Sequence, residues 1–223
     1  MSLTRIISEV AKELSGLSKI DRENIVYTRL IKEADKKLKR LAVGSARRVY
    51  DFKDNKVVKV AMNAKGIAQN EVECDLSQDQ YINYMFTKMH YCAENYSFLI
   101  AEKAEKITKG DFKSITGVDF DVFEEYIRSY MHSVMGKQLW GMRSTDTIIE
   151  EEDDFDPENE FVYDIVNMIL NYGLENVHGD MIRISSYGKV MRDGQPDIVI
   201  VDYGLNQEVF DAHYAPKRKN KYR

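Results

Sequence analysis

The sequence predicts an α+β protein built as two lobes. Three observations lead there. β-like texture is concentrated in two blocks, near residues 43–61 and 187–201. Segments of helical period stand before and between them. Near residue 103 an apolar strand pattern runs out into a polar connection, beyond which the chain turns helical. Helices and strands that segregate along the chain in this way define the α+β class. The expected organisation is an N-terminal helical extension over 1–41, a β-rich small lobe over 42–103 and a truncated, mainly helical large lobe over 104–223.

Composition sets the outer limits. A chain of 223 residues with 43% hydrophobic and 11% aromatic residues has material for a core and does not have the composition of a disordered protein. The formal charge of −5 gives no global sign of nucleic-acid binding. No apolar run approaches the roughly 20 residues of a membrane span, so no membrane partner is expected. The first residues, "MSLTRIISEVAKELSGL", have apolar positions at helical spacing but no signal-peptide centre or cleavage site. Only Cys74 and Cys92 are present, without metal-ligand spacing, a usage that suits a reducing compartment. The expected location is therefore the cytoplasm.

Each element has its own signal. Residues 1–41 read as two helical stretches separated by a polar break at "SKIDREN", the second ending in cations that suit a helix C-terminus. "VGSARRVYDF" and "KVVKVAM" read as a hairpin turned by the polar "KDN". "GIAQNEVECDL" returns to helical spacing, with Ile67, Glu71 and Cys74 on one face. A further helix is expected around "DQYINYMFTKMHYCAEN". "SFLIAEKAEKIT" reads as a buried strand, and "DVFEEYIRSYMHSVM" and "FVYDIVNMILNYGL" carry the stripe of core helices. The acidic run "EEEDDFDPEN" between them reads as a solvated loop. Two β-like runs flank Asp193-Gly194, a strong hairpin signal. The basic tail "APKRKNKYR" reads as a solvated end, and nucleic acid is not an expected partner.

Four charged residues sit where charge needs a reason. Lys59 is mid-strand in "VVKVA", which places it either at a solvated edge or facing a cleft toward an anion. Glu71 lies on the apolar side of the next helix and needs a cation, for which Lys59 is available; Glu73 is the rival and falls off that stripe. Asp180 follows a histidine and a glycine in "VHGDMIRISSYG", and Asp202 ends the apolar run "IVIVDYG".

Together and in this order these pieces resemble the protein-kinase-like superfamily. A glycine-containing loop, a strand lysine, a helix glutamate, a hinge strand, a His-Gly-Asp loop and an Asp-Tyr-Gly loop follow one another over residues 43–205. The block "GSARRVYDFKDNKVVKVAMNAKGIAQNEVE" is similar to the minimal kinase-like proteins of phages and some bacteria. The resemblance implies the template of phosphoryl transfer from ATP with Mg²⁺ or Mn²⁺. Lys59 would grip the α- and β-phosphates, held by Glu71. Asp202 would bind the metal, Asp180 would accept or orient the proton of the attacking hydroxyl, and His178 would brace the loop. Gly44 and Ser45 would approach the phosphates, and Arg47 or Arg48 would either touch them or stay exposed on the strand. Adenine would lie against Val49 and bond to backbone around Glu102 and Ala104. The cytoplasm of an infected bacterial host is then among the expected locations.

The resemblance has three gaps. Where the family places an asparagine as second metal ligand, this chain has Ser185, or Ser186 if one residue is inserted. The glycine loop has Gly44 alone. Only Leu205–Arg223 follow the Asp-Tyr-Gly loop, so the helices that hold a peptide substrate are not expected, and a protein partner or self-association would cover the exposed apolar surface. Three activities fit these features: a minimal Ser/Thr protein kinase, a pseudokinase-type binding module without turnover, and a small-molecule phosphotransferase.

Overall fold

A computed structural model describes Arg5 and residues 19–135, 159–172 and 178–214 of the chain. The first amphipathic segment, the acidic run up to residue 158 and the basic tail lie outside the described residues. The chain is α+β and divides into two units, Met1–Lys103 and Ala104–Arg223. Among the described residues no helix is long and apolar enough to cross a membrane.

The first unit is a five-stranded antiparallel sheet with a helix on each face. Helix α1 (Lys19–Lys37) is followed by β1 (Arg40–Val43), β2 (Arg47–Phe52), β3 (Lys56–Ala61), α2 (Ala64–Leu76), β4 (Met89–Cys92) and β5 (Phe98–Glu102). The strand order is β1-β2-β3-β5-β4, which makes β3 the central strand. The turn between β2 and β3 uses left-handed backbone at Asp54 and Asn55, φ 56° and 53°, residue types whose short polar side chains tolerate it.

Strand alternation gives the sheet two buried faces. On one, Tyr50, Val58, Val60 and Phe98 pack with Leu30 and Ala34 of α1. On the other, Val57, Leu99 and Ala101 pack with Cys74 of α2, and Val49 joins them. The helix read as an extension thus contributes two residues to the sheet's own core.

Three local expectations are corrected. The polar break at "SKIDREN" does not separate two helices at that point, because α1 already runs through Lys19–Asn24; lysine, arginine and glutamate are good helix formers, and polarity alone stops nothing. The helix expected around residues 79–95 is replaced by a single 3₁₀ turn at Asn83–Met85 and strand β4. There Tyr91 stacks on Phe98 at 5.6 Å and β4 pairs with β5, so sheet pairing overrides the local period. Cys74 and Cys92, whose scarcity suited a reducing compartment, are bonded to each other and tie α2 to β4.

The second unit is organised by a small antiparallel sheet and an aromatic core. Its elements are β6 (Glu105–Lys106), α3 (Lys109–Thr116), α4 (Phe120–Met135), α5 (Glu160–Asn171), the single turn α6 (His178–Met181), β7 (Tyr187–Arg192), β8 (Gln195–Ile200) and α7 (Gln207–His213). The sheet order is β6-β7-β8, and the β7–β8 turn places Asp193 and Gly194 at φ 49° and 82°, as a type I′ hairpin requires. Phe112 of α3 meets Phe120, Phe123, Phe161 and Tyr187 with ring centroids 5.0–5.5 Å apart, mostly edge-on. That cluster anchors the start of β7, and α6 carries Asp180.

Candidate functional site

Lys59 stands on the central strand and is not at an edge. It is 5% exposed and faces α2, opposite Val49 of β2 and Leu99 of β5. A buried ammonium requires a carboxylate, and the one it has is Glu73: Lys59 Nζ donates to Glu73 Oε2 at 2.6 Å. Glu73 is wholly buried, whereas Glu71 is exposed. The expected partner is therefore corrected from Glu71 to Glu73. The buried face of α2 is Gly66, Gln69, Asn70, Glu73 and Cys74, a stripe at helical spacing that is mostly polar. An apolar-stripe reading passes over it.

Glu73 has a second cation. Arg47 of β2, 7% exposed, places Nη1 2.8 Å from Glu73 Oε1. That N–H donates to Asn70 Oδ1 at 3.3 Å, so Oε1 feels the guanidinium's charge without an aligned hydrogen bond. Asn70 Nδ2 donates in turn to Tyr96 O at 2.8 Å. The two arginines of "GSARRVY" thus part company: Arg47 faces α2, while Arg48 faces α1 and pairs with Asp35 at 2.6 Å.

The β1–β2 loop is held closely against the start of α2. Gly44 N–H donates to Arg47 O at 2.9 Å and closes the turn. Ser45 receives hydrogen bonds from Lys65 Nζ on Oγ and from Asn63 Nδ2 on its carbonyl. A Cβ on Gly44 would meet only Arg47 O, at 3.7 Å, so nothing there demands glycine. The demand falls on Gly66, where a Cβ would overlap the Ala46 carbonyl. Asn63 caps α2 by accepting from Gly66 N. At the end of β5, Glu102 N–H donates to Lys88 O and Lys103 N–H to Asn55 O, so neither amide is open to a base.

In the second unit Ser186 joins two loops. Its Oγ donates to the Asp180 carbonyl at 2.6 Å, and its own carbonyl accepts from Val201 N–H at 2.8 Å. The helical turn bearing Asp180 and the segment leading to Asp202 are thereby fixed to one residue. Ser186 is buried and Ser185 exposed, so of the two serines Ser186 is the one built into the site. Tyr187 Oη donates to Met181 O at 2.7 Å, tying the same loop to the aromatic core. Burial pushes that phenol far above its ordinary range, which keeps it a donor. Asp180 is half-buried and pairs with Arg183 at 3.2 Å, whereas Asp202 is exposed just past the buried run Ile198–Ile200. The backbone of His178 lies in α6, but its side chain falls outside the described residues. Ala104 opens this unit, with its Cβ against Gly188.

Of the expected site residues, the structure thus groups Gly44, Ser45, Val49 and Lys59 in the first unit, with Glu73 in place of Glu71. It groups Asp180, Asp202 and Ser186 in the second. Among the described residues no three His, Cys, Asp or Glu side chains converge as a metal-holding group. Magnesium is commonly held by one or two carboxylates together with substrate phosphates, and the segments carrying the Asp180 and Asp202 carboxylates are joined through Ser186. No protein-family model matches this sequence, and no curated protein matches it.

Proposed function

We propose that this protein is an ATP-dependent phosphotransferase, a minimal Ser/Thr protein kinase whose two units are the small and large lobes of a protein-kinase-like fold. The observation that carries the reading is the Lys59–Glu73 pair at 2.6 Å on the central strand. A lysine built into a sheet core, held by a carboxylate from the neighbouring helix, is arranged to present a fixed positive charge to an anion. Lys59 grips phosphate oxygens, and Glu73 takes the part expected of Glu71. Asp202 would supply a hard carboxylate donor for Mg²⁺, with the Ser186 hydroxyl as the second candidate ligand. The metal, when bound, neutralises charge on the transferring phosphoryl group. Asp180 accepts the proton of a substrate hydroxyl, and its carboxylate lies 3.2 Å from the Arg183 guanidinium.

The test is transfer of label from ATP in Mg²⁺ or Mn²⁺ to the protein itself or to a general protein substrate. Lys59→Ala and Asp202→Ala are each expected to lower transfer about a hundredfold or more. The absence of both transfer and a nucleotide-induced rise in melting temperature in the unaltered protein would sink the proposal.

A second reading, a nucleotide- or protein-binding module without turnover, draws on Ser186. Its only proton is committed to the Asp180 carbonyl, and a serine hydroxyl is a poorer metal ligand than an amide carbonyl. A melting-temperature rise on adding ATP, with no transfer, would favour that reading.

A further inference from the structure

We infer that the Cys74–Cys92 bond is a reversible redox switch that holds Glu73 against Lys59 and so sets the affinity for ATP. The inference rests on the reading of Lys59, held by Glu73, as the residue that grips phosphate.

The helix that carries Glu73 has little hydrophobic grip on the sheet. Its buried residues are Gly66, Gln69, Asn70, Glu73 and Cys74, of which Cys74 alone has an apolar side chain. Cys74 is 1% exposed and packs with Val57, Leu99 and Ala101. The first turn of α2 is fixed by the close approach of Gly66 to the Ala46 carbonyl and by the Asn63 cap. Further along, α2 is tied to the β4–β5 hairpin at two points. Asn70 Nδ2 donates to Tyr96 O in the hairpin turn, and Cys74, the residue after Glu73, is bonded to Cys92 at the end of β4. Cutting the covalent tie releases the end of α2 beside Glu73 and leaves its start in place.

The bond is open to exchange from one side. Strand β4 lies at the edge of the five-stranded sheet, and Cys92 is half-buried there, whereas Cys74 is enclosed. A thiolate of a dithiol reductant attacks Cys92 Sγ, which forms a mixed disulfide and expels the Cys74 thiolate. The second thiolate of the reductant then attacks its partner sulfur in the mixed disulfide and expels the Cys92 thiolate. The two protons of the dithiol end on the two cysteines, and the reductant leaves as a disulfide. Two electrons pass to the protein, and an oxidised dithiol reverses the step.

The experiment titrates ATP in Mg²⁺ against the full chain, oxidised and then reduced with dithiothreitol, and circular dichroism reports whether each state is folded. Amide hydrogen exchange is read over residues 69–76 and over β3. Reduction is expected to weaken ATP binding about tenfold, within the usual range of coupling between two sites. It is also expected to speed exchange over 69–76 about tenfold with β3 unchanged, and reoxidation to restore both. Coupling is reciprocal, so saturating ATP is expected to shift the equilibrium with dithiothreitol about tenfold toward the protein disulfide, or about 30 mV for a two-electron couple. Cys92→Ser is expected to bind ATP as weakly as the reduced protein under either condition; should it not fold, Cys74→Ala takes its place. A reduced, folded protein that binds ATP as tightly as the oxidised one overturns the switch, as does a chain that unfolds on reduction. ATP that fails to bind the oxidised protein, while exchange over 69–76 responds to reduction, overturns the nucleotide reading and leaves the redox control of α2 standing.

Discussion

At the scale of single residues, the site turns on which glutamate of "NEVE" faces the sheet. Helix geometry decides it. Positions 66, 69, 70, 73 and 74 fall on one face, and packing turns that face inward although three of its five residues are polar. The hydrophobic-stripe rule favoured Glu71 because Ile67 and Cys74 flank it at helical spacing; Ile67 is in fact only half-buried. The usable signal was Gly66, four residues before Asn70 and seven before Glu73. A glycine on a helix face marks close approach of something else, in this case the Ala46 carbonyl. Gly66→Ala is accordingly expected to destabilise by about 2 kcal/mol despite alanine's better helix propensity, since overlap with backbone cannot be relieved by a rotamer change. Chemical denaturation of the variant reads this; equal or greater stability would show that the loop and α2 are not packed as described.

At the scale of elements, local chemistry and tertiary pairing contribute unequally. Helix α3 is specified by its own sequence: Thr108 and Asp111 form a reciprocal capping box, and Gly117 ends the helix at φ 80°. Hydrogen bonds from the Thr108 side chain and backbone hold the Asp111 carboxyl below its ordinary range. A depressed folded-state value means that the stabilisation is present above the unfolded value of 3.8 and is lost as pH falls through the folded one. Asp111→Asn is thus expected to lower the melting temperature near neutral pH and to match the unaltered protein at about pH 2, where both side chains are neutral. A difference that persists unchanged into acid would rule the capping role out. The segment 79–95 is the opposite case. Its helical period was real on paper, but β5 offers β4 a ladder and a ring to stack on, and those long-range contacts have no local sequence signature.

At the scale of the whole molecule, the Cys74–Cys92 bond closes a loop of the chain across a sequence separation of 18 and fastens the residue next to Glu73 to the sheet edge. A cross-link of that span acts chiefly by restricting the unfolded chain. Reduction, or Cys92→Ser, is expected to lower stability by about 3 kcal/mol, read as a shift in denaturant midpoint between oxidised and reduced protein. Identical midpoints would mean that the two thiols are not joined in solution. By itself the sequence determined the α+β class, the β2–β3 and β7–β8 hairpins, the helices α2, α4 and α5, and the strand position of Lys59. These are written in short-range period, turn chemistry and the abrupt ending of apolar runs. The same sequence reads Arg40–Val43 and Arg47–Phe52 as a helix end and one interrupted strand where the chain forms a hairpin, and it reads as a loop the helical turn that carries Asp180. Only the tertiary structure decided that Glu73 and not Glu71 meets Lys59, that Arg47 shares that carboxylate, that Ser186 binds two loops together, and that the two cysteines join. Each of these depends on which side of a helix or strand is turned inward by segments distant in sequence, and burial, unlike periodicity, is a property of the folded chain.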